Sequence, residues 1–508
     1  MSGASHSSNC LPDRNVAYML WDTAARSERQ HAVVERRTTT DFGALRSRAG
    51  AIAASLHGLG VEPGDRVAML LERGADAAAA FFGTIAAGAV GVIVNEGLRP
   101  RQIEYILNHA GARVLLATRD LLVRQPRALV TSAHIATLDE VPAAHDWEPV
   151  ARVSADVAQI IYTSGSTGLP KGVTLSHANL WAGARAVSTY VGITQDDRIA
   201  SLLPFSFDYG FNQLLCAVYR GATLVVERSP VPQQIAATLR RESVTVLPAV
   251  PPLWLQLLNV EAFRTPPLTA LRALTNTGGR LPVAAVRTLR STHPHAQLFL
   301  MYGLTEAFRS TYLTPAEVDE HPDSIGRAIP GAEIMVLRED LSRCDVGEEG
   351  ELVHRGPTVS LGYWNDAQAS ARVFRPNPLR PAGTPDAERV VFSGDIVRRD
   401  GAGRLYYVGR RDRLIKTLGY RVSPDEVADA LFASGQIVEG VVTAEPDALR
   451  GESIVAHVVL AAHGSLEALE AFCSAEMPRY MQPARFEVRS DIPRTSSGKH
   501  DVLAVQQP

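Results

Sequence analysis

The feature that most constrains the fold of this chain is a loop rich in glycine and hydroxyl side chains at residues 163–172. Apolar segments flank the loop and predict one strand over residues 157–162 and another over residues 173–175. Small residues let backbone N–H groups approach a polyanion, hydroxyls add donors, and a lysine neutralises charge. The segment therefore predicts a phosphate-binding loop made of Thr163, Ser164, Gly165, Ser166, Thr167, Gly168 and Lys171.

Spacing excludes two other loops of similar composition. The stretch from Gly165 to Lys171 does not fit GxxxxGK(S/T), because a glycine follows the lysine. No glycine lies two residues before Ser166, so the segment is not a nucleophile elbow either. A flexible hairpin without a ligand is the alternative, but the strands on both sides and the closing lysine favour phosphate binding.

Short apolar segments alternate with helix-like segments through the first 330 residues. We predict strands at residues 66–71, 90–94, 113–118, 222–227, 244–247 and 298–301, and a helix at residues 42–59. This alternation is typical of a parallel sheet with crossover helices. The uncharged run at residues 77–94 approaches membrane-spanning length, but Gly88 and Gly91 interrupt it. We interpret that run as a buried helix followed by a core strand, and predict no membrane span.

The pattern changes after about residue 330, where short strands at 333–337, 351–355, 389–392 and 404–408 predict a β-rich subdomain over about 330–408. Residues 414–508 contain a helix (424–434), two strands (438–443 and 453–460) and a second helix (466–476), which form a compact unit. The predicted fold is α/β. A large N-terminal body of parallel-type sheets with flanking helices covers residues 1–408, and a small α+β C-terminal domain follows a boundary at residues 409–413.

Charge and cysteine usage exclude several classes of function. Lys and Arg number 51 against 54 Asp and Glu, so the chain lacks the cationic excess of a general nucleic-acid binder. The cysteines Cys10, Cys216, Cys344 and Cys473 contain no CxxC pair, which excludes a disulfide framework and a zinc knuckle. Residues 1–14 are polar and lack the apolar core of a signal peptide. We expect reduced, mostly buried thiols in a cytoplasmic protein.

Four further motifs follow the loop in order: Tyr302-Gly-Leu-Thr-Glu306, Ser393-Gly-Asp395, Gly409-Arg-Arg-Asp412 with Lys416 to Arg421, and Pro493-Arg-Thr-Ser-Ser-Gly-Lys499. With this set, the chain resembles the adenylate-forming superfamily, which includes acyl-CoA synthetases, adenylation domains of peptide synthetases and luciferase-like ligases. The resemblance covers nearly the whole chain. It implies that the C-terminal domain is a mobile lid.

The resemblance implies two half-reactions. A carboxylate attacks the α-phosphate of ATP to give an acyl-adenylate and pyrophosphate, and a thiol then displaces AMP to give a thioester. It implies that Lys499 bridges the carboxylate and the α-phosphate, that Glu306 holds Mg²⁺, and that Thr305 contacts the α-phosphate. The alternatives are a solvated lysine near a C-terminus for Lys499 and a carboxylate at a helix start for Glu306.

The remaining motif residues are expected around the nucleotide and the hinge. The resemblance implies that Tyr302 stacks on adenine, that Asp395 accepts both ribose hydroxyls, and that Arg410 and Arg421 contact ribose or phosphate. It also implies that Asp412 is the hinge about which the lid rotates between the two steps. A solvated cluster of ion pairs is the alternative for the Arg/Asp run.

The expected acid pocket is more polar than a fatty-acid tunnel. It comprises Asp208, Asn212, Met301 and Arg309, and it lacks the histidine that many acyl-CoA synthetases carry. Asp208 either binds the ammonium group of an amino acid or caps the helix that follows. Arg309 either binds a second carboxylate or a polar tail, or pairs internally with Asp208 or a nearby Glu. An apolar tunnel would leave such groups unpaired at a cost of several kcal/mol.

The resulting hypothesis is a free-standing, ATP- and Mg²⁺-dependent ligase that joins a small carboxylic acid to CoA. A separate phosphopantetheinyl carrier protein is the other acceptor, since residue 508 leaves no room for a fused carrier. A stand-alone amino-acid adenylation enzyme that loads such a carrier is the alternative. A luciferase-like oxygenase shares the motifs, whereas a non-enzymatic sensor is expected to have lost Lys499 or Glu306.

Overall fold

The computed structural model describes residues 14–36, 38–125, 127–163, 170–381, 383–384, 388–411, 413–417, 420–447, 451–495 and 498–506, apart from the side chains of residues 416, 420, 421 and 451. The helices are α1 (Tyr18–Arg26), α2 (Phe42–Gly58), α3 (Ala75–Ala86), α4 (Pro100–Ala110), α5 (Arg119–Val123), α6 (His177–Tyr190), α7 (Asp208–Arg220), α8 (Pro232–Arg241), α9 (Pro251–Leu258), α10 (Glu261–Arg264), α11 (Val283–Thr292), α12 (Ala367–Val373), α13 (Pro424–Ala433), α14 (Leu466–Glu476) and α15 (Val502–Val505).

The strands of the same ranges are β1 (His31–Glu35), β2 (Thr38–Asp41), β3 (Arg66–Leu70), β4 (Val90–Val94), β5 (Ala112–Ala117), β6 (His134–Thr137), β7 (Val157–Thr163), β8 (Lys171–Ser176), β9 (Arg198–Ser201), β10 (Thr223–Val226), β11 (Val246–Ala249), β12 (Ala273–Asn276), β13 (Gln297–Leu304), β14 (Ala307–Leu313), β15 (Ser324–Ala328), β16 (Glu333–Leu337), β17 (Glu349–Arg355), β18 (Gly362–Tyr363), β19 (Phe374–Pro376), β20 (Arg389–Arg399), β21 (Leu405–Arg410), β22 (Ile415–Thr417), β23 (Tyr420–Val422), β24 (Ile437–Asp447), β25 (Gly451–Leu460) and β26 (Arg485–Val488).

One sheet carries the predicted phosphate loop. Its strand order in the described ranges is β18-β8-β7-β4-β3-β5-β6. The pairs β3–β4, β3–β5, β4–β7 and β5–β6 are parallel, as the alternation of helices and strands predicts, whereas β7 and β8 form an antiparallel hairpin. The hairpin projects its loop from a sheet that is otherwise built of crossover units.

A larger sheet joins the parallel strands to the β-rich stretch. Its order is β16-β17-β20-β21-β15-β14-β13-β12-β11-β9-β10-β1-β2, with β19 also paired to β20. The strands predicted between residues 330 and 408 are confirmed, and β15 pairs with both β14 and β21. Hydrogen bonding is therefore continuous from the parallel region into the β-rich stretch, and the division of this body into subdomains stays a prediction.

The largest apolar cluster includes helices α2 and α3, which pack side by side, and α3 lies on strands β3 and β4 of the first sheet. The interpretation of residues 77–94 is confirmed, since α3 is buried and is followed by the buried strand β4. A Cβ at Gly83 of α3 would lie 2.5 Å from the carbonyl oxygen of Ala49 in α2. Glycine at this position therefore allows the two helices to approach closely.

The C-terminal region forms a third sheet, of order β23-β22-β25-β24 with β26 beside β25, on which α13 and α14 pack. Its apolar core is separate from those of the larger sheets. Arg280, before α11, forms an ion pair with Asp429 of α13 at 2.9 Å and so links this region to the rest of the molecule. The three described cysteines, Cys216, Cys344 and Cys473, are free and buried, as predicted. No described helix combines the length and apolar character that crossing a bilayer requires.

Candidate active site

The hairpin of β7 and β8 holds both ends of the predicted phosphate loop. Thr163 ends β7 and pairs in register with Lys171, which starts β8. Ser164, Gly165, Ser166, Thr167 and Gly168 lie outside the described residues. Ser176 at the end of β8 caps helix α6, because its hydroxyl accepts a hydrogen bond of 3.1 Å from the Asn179 backbone N–H. The strand–loop–strand context that favoured phosphate binding is therefore present.

Glu306 lies in the tight turn between β13 and β14, so the alternative that places it at a helix start is wrong. The Tyr363 hydroxyl donates a hydrogen bond of 2.6 Å to Glu306 Oε1. The Lys171 ammonium lies 5.3 Å from the centre of the Tyr363 ring, within range of a cation–π contact. Burial, and then the Glu306 carboxylate, raise the pKa of Tyr363. Tyr363 thus connects the hairpin of β7 and β8, through Lys171, to the turn that carries Glu306 and Thr305.

A second cluster forms around Tyr302 and Asp395. The Tyr302 hydroxyl donates to Asp395 Oδ2, and Arg410 Nε lies 3.6 Å from Asp395 Oδ1. The Tyr302 ring stacks on the buried ring of His354, with centroids 6.0 Å apart and planes at 13°. Burial and the Asp395 carboxylate raise the pKa of Tyr302. The structure therefore brings together three residues from motifs that are up to 108 positions apart in sequence, at Tyr302 and Arg410.

Lys499 enters the site from the C-terminal region. Its backbone closes a tight turn, in which the Thr495 N–H donates to the Lys499 carbonyl at 2.7 Å. The Lys499 ammonium lies 5.0 Å from the centre of the Phe207 ring. Gly278 has φ +83°, and a Cβ there would lie 3.0 Å from Lys499 Cε, so glycine leaves room for the lysine stem. Burial lowers the pKa of Lys499, while Asp208 and Glu306 raise it and Arg309 and Arg413 lower it. Lys499 is half-buried among these groups, and its catalytic role stays a prediction.

Asp208 and Arg309 form a buried pair beside Lys499. Arg309 Nη1 lies 3.4 Å from Asp208 Oδ2, and Arg309 Nη2 donates to the Asp208 carbonyl at 3.1 Å. The internal-pair alternative for Arg309 is therefore confirmed. Asp208 is the first residue of α7, and Phe207 is the N-cap without a side-chain hydrogen bond. The N-cap alternative for Asp208 is therefore wrong.

Asn212 and Met301 are also buried. Asn212 lies one turn along α7 from Asp208, and its Oδ1 accepts a hydrogen bond of 3.5 Å from the Cys216 thiol. Met301 lies in β13, and its sulfur accepts a hydrogen bond of 2.9 Å from the Tyr190 hydroxyl. Asp412 lies outside the described residues, and for Arg421 the structure describes only the backbone, in β23.

Sequence reasoning missed Tyr363 and Phe207 as members of the site. Tyr363 belongs to the segment Gly362-Tyr-Trp364, whose Trp364 N–H donates to the Gly172 carbonyl at 2.7 Å and so aligns β18 with β8. Two adjacent aromatics after a glycine are a weak signal, because such residues are more often part of the core.

The site contains two cations, Lys499 and Arg309, together with the carboxylates Asp208 and Glu306. Such a set of charges can neutralise and orient an anionic reaction centre.

Family models match most of this chain. One described as an AMP-binding enzyme matches residues 20–364, and one described as an AMP-binding enzyme C-terminal domain matches residues 426–499. The two matched ranges contain Lys171, Glu306 and Lys499, whereas Asp395 and Arg410 fall between them.

Individual proteins are similar over nearly the whole chain. An L-proline–[L-prolyl-carrier protein] ligase of Pseudomonas fluorescens is 30% identical, covering 96% of this chain and 97% of that protein. Tyrocidine synthase 3 of Brevibacillus parabrevis is 28% identical over 98% of the chain, which spans 8% of that much longer protein. The o-succinylbenzoate CoA synthetase of Bacillus subtilis, solved with its acyl-adenylate intermediate, superposes with a TM-score of 0.83 at 25% identity, covering 96% of this chain and 98% of that one.

Proposed function

Since the chain belongs to the family of AMP-binding enzymes and is an AMP-forming acid–thiol ligase, we propose that its catalytic centre is the cluster around Lys499 and Glu306. The observation that carries this proposal is the position of Lys499, which is half-buried beside Phe207 and interacts with the charges of Asp208, Arg309 and Glu306. Three segments that are distant in sequence thus place two cations and two carboxylates in one cluster.

In the proposed first step, a carboxylate oxygen of the acid attacks the α-phosphorus of ATP and pyrophosphate leaves. Lys499 lies between the two anions and reduces their repulsion, and Thr305 contacts the α-phosphate. The step needs no protein nucleophile, so its acceleration comes from positioning and from charge stabilisation. The burial that lowers the pKa of Lys499 also strengthens its interaction with the phosphoryl oxygens, because the surroundings have a low dielectric constant.

We propose Glu306 as the protein ligand of Mg²⁺. A carboxylate oxygen is the donor that this hard cation prefers, and Mg²⁺ is commonly bound through one or two carboxylates and the phosphates of the substrate. The described residues contain no group of three or more His, Cys, Asp or Glu side chains arranged to hold a metal. The hydrogen bond from Tyr363 orients the Glu306 carboxylate and leaves its second oxygen for the ion.

The nucleotide is proposed to lie between the hairpin of β7 and β8 and the cluster of Tyr302 and Asp395. Thr163, Lys171 and the loop residues 164–168 bind the phosphates. Asp395 accepts the ribose hydroxyls, with Arg410 and Arg421 beside it, and one face of the Tyr302 ring stacks on adenine. The other face already packs on His354, which fixes the plane of the ring.

In the proposed second step, a thiolate attacks the acyl carbonyl carbon and AMP leaves. For this step we propose that residues 414–508 act as a lid, which rotates about the segment 409–413 at Asp412 and withdraws Lys499. The acceptor is CoA or a carrier protein. The acid is a small, polar carboxylic acid, with an amino acid as the second candidate because the prolyl-carrier ligase is similar over its full length. We place the enzyme in the cytoplasm, in keeping with its free cysteines.

The substitution Lys499→Ala tests the assignment. We expect loss of acid-dependent pyrophosphate exchange by roughly 10²-fold or more, because the attacking carboxylate then meets an uncompensated phosphate. Thioester formation from supplied acyl-adenylate should remain within a few-fold of the wild-type rate. That second reaction also serves as the control for folding, and equal loss of both half-reactions would contradict the role given to Lys499.

A further inference from the structure

The buried pair of Asp208 and Arg309 has consequences for the acid that the enzyme accepts. Both side chains are almost fully buried, with 6% and 4% of their surface exposed. Arg309 contacts Asp208 through both terminal nitrogens, one to the carboxylate and one to the backbone carbonyl. The guanidinium also lies 5.3 Å from the centre of the Tyr209 ring and 5.2 Å from that of Phe308. Its position is therefore set by several contacts.

An α-ammonium group would meet an unfavourable charge in this arrangement. An ammonium requires a carboxylate partner when it leaves water. Arg309 Nη1 already lies 3.4 Å from Asp208 Oδ2, and Asp208 is also close enough to Lys499 to interact with it electrostatically. A third cation would be repelled by Arg309 and Lys499, whereas a substrate whose only charge is a carboxylate avoids that repulsion.

Two donors of the pocket lack acceptors. Within the described part of the chain, neither Arg309 Nε nor Asn212 Nδ2 has a hydrogen-bond partner, and both atoms are buried. A buried donor without a partner costs about 1–3 kcal/mol, so a ligand that supplies an acceptor regains that energy. Asp208 and Asn212 are four residues apart on α7 and therefore lie on the same face of the helix.

We infer that Arg309 determines substrate specificity, by selecting a carboxylic acid that lacks an α-ammonium group and carries an acceptor oxygen, as carbonyl or carboxylate, beyond the reacting end. This inference rests on the proposed function, because it assumes that the acid lies beside Lys499. By this inference, the Arg309 guanidinium alone makes the substrate preference of this enzyme differ from that of relatives that activate amino acids. A purely structural pair between α7 and β14 would hold the fold without affecting the choice of acid.

Four acids of five carbons test the inference with the full chain: pentanoate, L-norvaline, 4-oxopentanoate and glutarate. They differ only in the ammonium group or in the distal acceptor, and pyrophosphate exchange measures the kcat/KM of each. We expect both acceptor-bearing acids to exceed pentanoate about tenfold or more, and L-norvaline to fall about 100-fold or more below it, as expected for a desolvated polar mismatch. The same comparison is repeated with acids of three to eight carbons, to find the chain length that the enzyme accepts.

Variants then assign the selectivity to the guanidinium. Arg309→Met frees Asp208, so the ratio of L-norvaline to pentanoate should rise at least tenfold and the preference for distal acceptors should disappear. Arg309→Lys keeps the charge and should keep the rejection of L-norvaline. Arg220→Met, at the other end of α7, is the matched control and should leave every ratio unchanged.

The outcomes separate this inference from the proposed function. Exchange that favours L-norvaline over pentanoate in the wild type overturns the inference and leaves the ligase assignment intact. Unchanged ratios in Arg309→Met also overturn it, and they would show that the pair is only structural. If no acid of any length supports exchange, the proposed function itself fails. A wild type that prefers pentanoate to both acceptor-bearing acids also overturns the inference, whether or not the variants fold.

Discussion

At the scale of single residues, the hydrogen bond between Tyr363 and Glu306 determines how one carboxylate faces the site. A carboxylate in a two-residue turn can adopt several rotamers, and a single donor at 2.6 Å selects one of them. The same ring packs edge-on against Phe374, with centroids 5.6 Å apart. The ring is thus held by packing, while its hydroxyl positions Glu306.

Tyr363→Phe removes the hydroxyl and keeps the ring. We expect pyrophosphate exchange to fall about tenfold, because a hydrogen bond to a charged group contributes about 1.5–3 kcal/mol. The concentration of Mg²⁺ for half-maximal exchange should rise, since Glu306 is no longer oriented. Tyr18→Phe is the matched control, because Tyr18 donates a similar bond of 2.7 Å to Glu148 on the exposed surface. A Mg²⁺ requirement that stays unchanged in Tyr363→Phe would argue against Glu306 as the ligand.

The sequence predicts some members of the site better than others. Glu306, Asp395 and Lys499 stand in motifs whose spacing and order are recognisable in a single chain. The pair of Asp208 and Arg309 was one of two open alternatives, because a contact between α7 and β14 depends on how the elements pack. Tyr363 was missed for the same reason, since its partner lies 57 residues away.

At the scale of secondary structure elements, helix α13 contacts the rest of the molecule beside the loop that leads into α11. Arg280 in that loop pairs with Asp429 of α13 at 2.9 Å. Burial raises the pKa of the Asp429 carboxyl to about 7, and the Arg280 guanidinium is the main opposing influence. This pair holds α13 against the loop before α11 in the arrangement that places Lys499 beside Phe207.

Arg280→Glu should weaken that arrangement. We expect adenylate formation to fall about three- to tenfold, because two acidic side chains then face each other, while thioester formation from supplied acyl-adenylate is unchanged or faster. Rapid-quench measurement of each half-reaction gives the comparison. The double variant Arg280→Glu/Asp429→Arg restores the opposite charges and should recover most of the loss. Arg287→Glu, in the same cleft, is the control. A double variant as slow as the single one would contradict the proposed role of the pair.

Predicted element boundaries agree with the structure where turn residues mark the ends of an element. They are wrong where a strand continues through a motif. The predictions at 90–94, 333–337 and 466–476 match the observed elements residue for residue. The strand predicted at 389–392 extends to Arg399, because Gly394 with φ +74° kinks the chain without ending the strand. Similarly, β13 runs on to Leu304, three residues past the end of the strand predicted at 298–301 and into the motif that begins at Tyr302.

At the scale of the whole molecule, buried histidines make the fold sensitive to acid. Burial lowers the pKa of His177 and His293 to about 4 and that of His354 to about 3, against about 6.5 in an unfolded chain. Between those values the unfolded state binds protons that the native state does not. The free energy of unfolding therefore falls as the pH drops below about 6.5, by about 1.4 kcal/mol per pH unit for each histidine.

His293→Met tests this dependence, since neither ring nitrogen of His293 has a hydrogen-bond partner in the described structure. We expect the thermal unfolding midpoint of the variant to decrease less than that of the wild type between pH 7.5 and pH 5. His134→Met is the control, because His134 is exposed. Its thermal unfolding midpoint should decrease between pH 7.5 and pH 5 as much as that of the wild type. A variant whose midpoint falls as steeply as the wild type would show that His293 does not contribute to the acid sensitivity.

The overall class of the fold was predictable, but the connection between its parts was not. Crossover units and the β-rich stretch each have a local signature, so both were predicted from apolar periodicity and turn residues. The joining of β14, β15 and β21 into one sheet depends on pairings across 81 residues, as between Ser324 and Leu405, and no local pattern encodes them.

The burial of Lys499 also makes the enzyme suitable for chemical footprinting. The chain contains three lysines, Lys171, Lys416 and Lys499, among 51 basic residues. An amine-directed reagent therefore has three side-chain targets, and peptides that contain each of them can be counted separately by mass spectrometry. Since Lys499 is half-buried beside Phe207 in this arrangement, its acylation relative to that of the other lysines tests the proposed rotation of the C-terminal region. The lysine proposed to join acid to nucleotide then serves as a chemical sensor of the position of its own region.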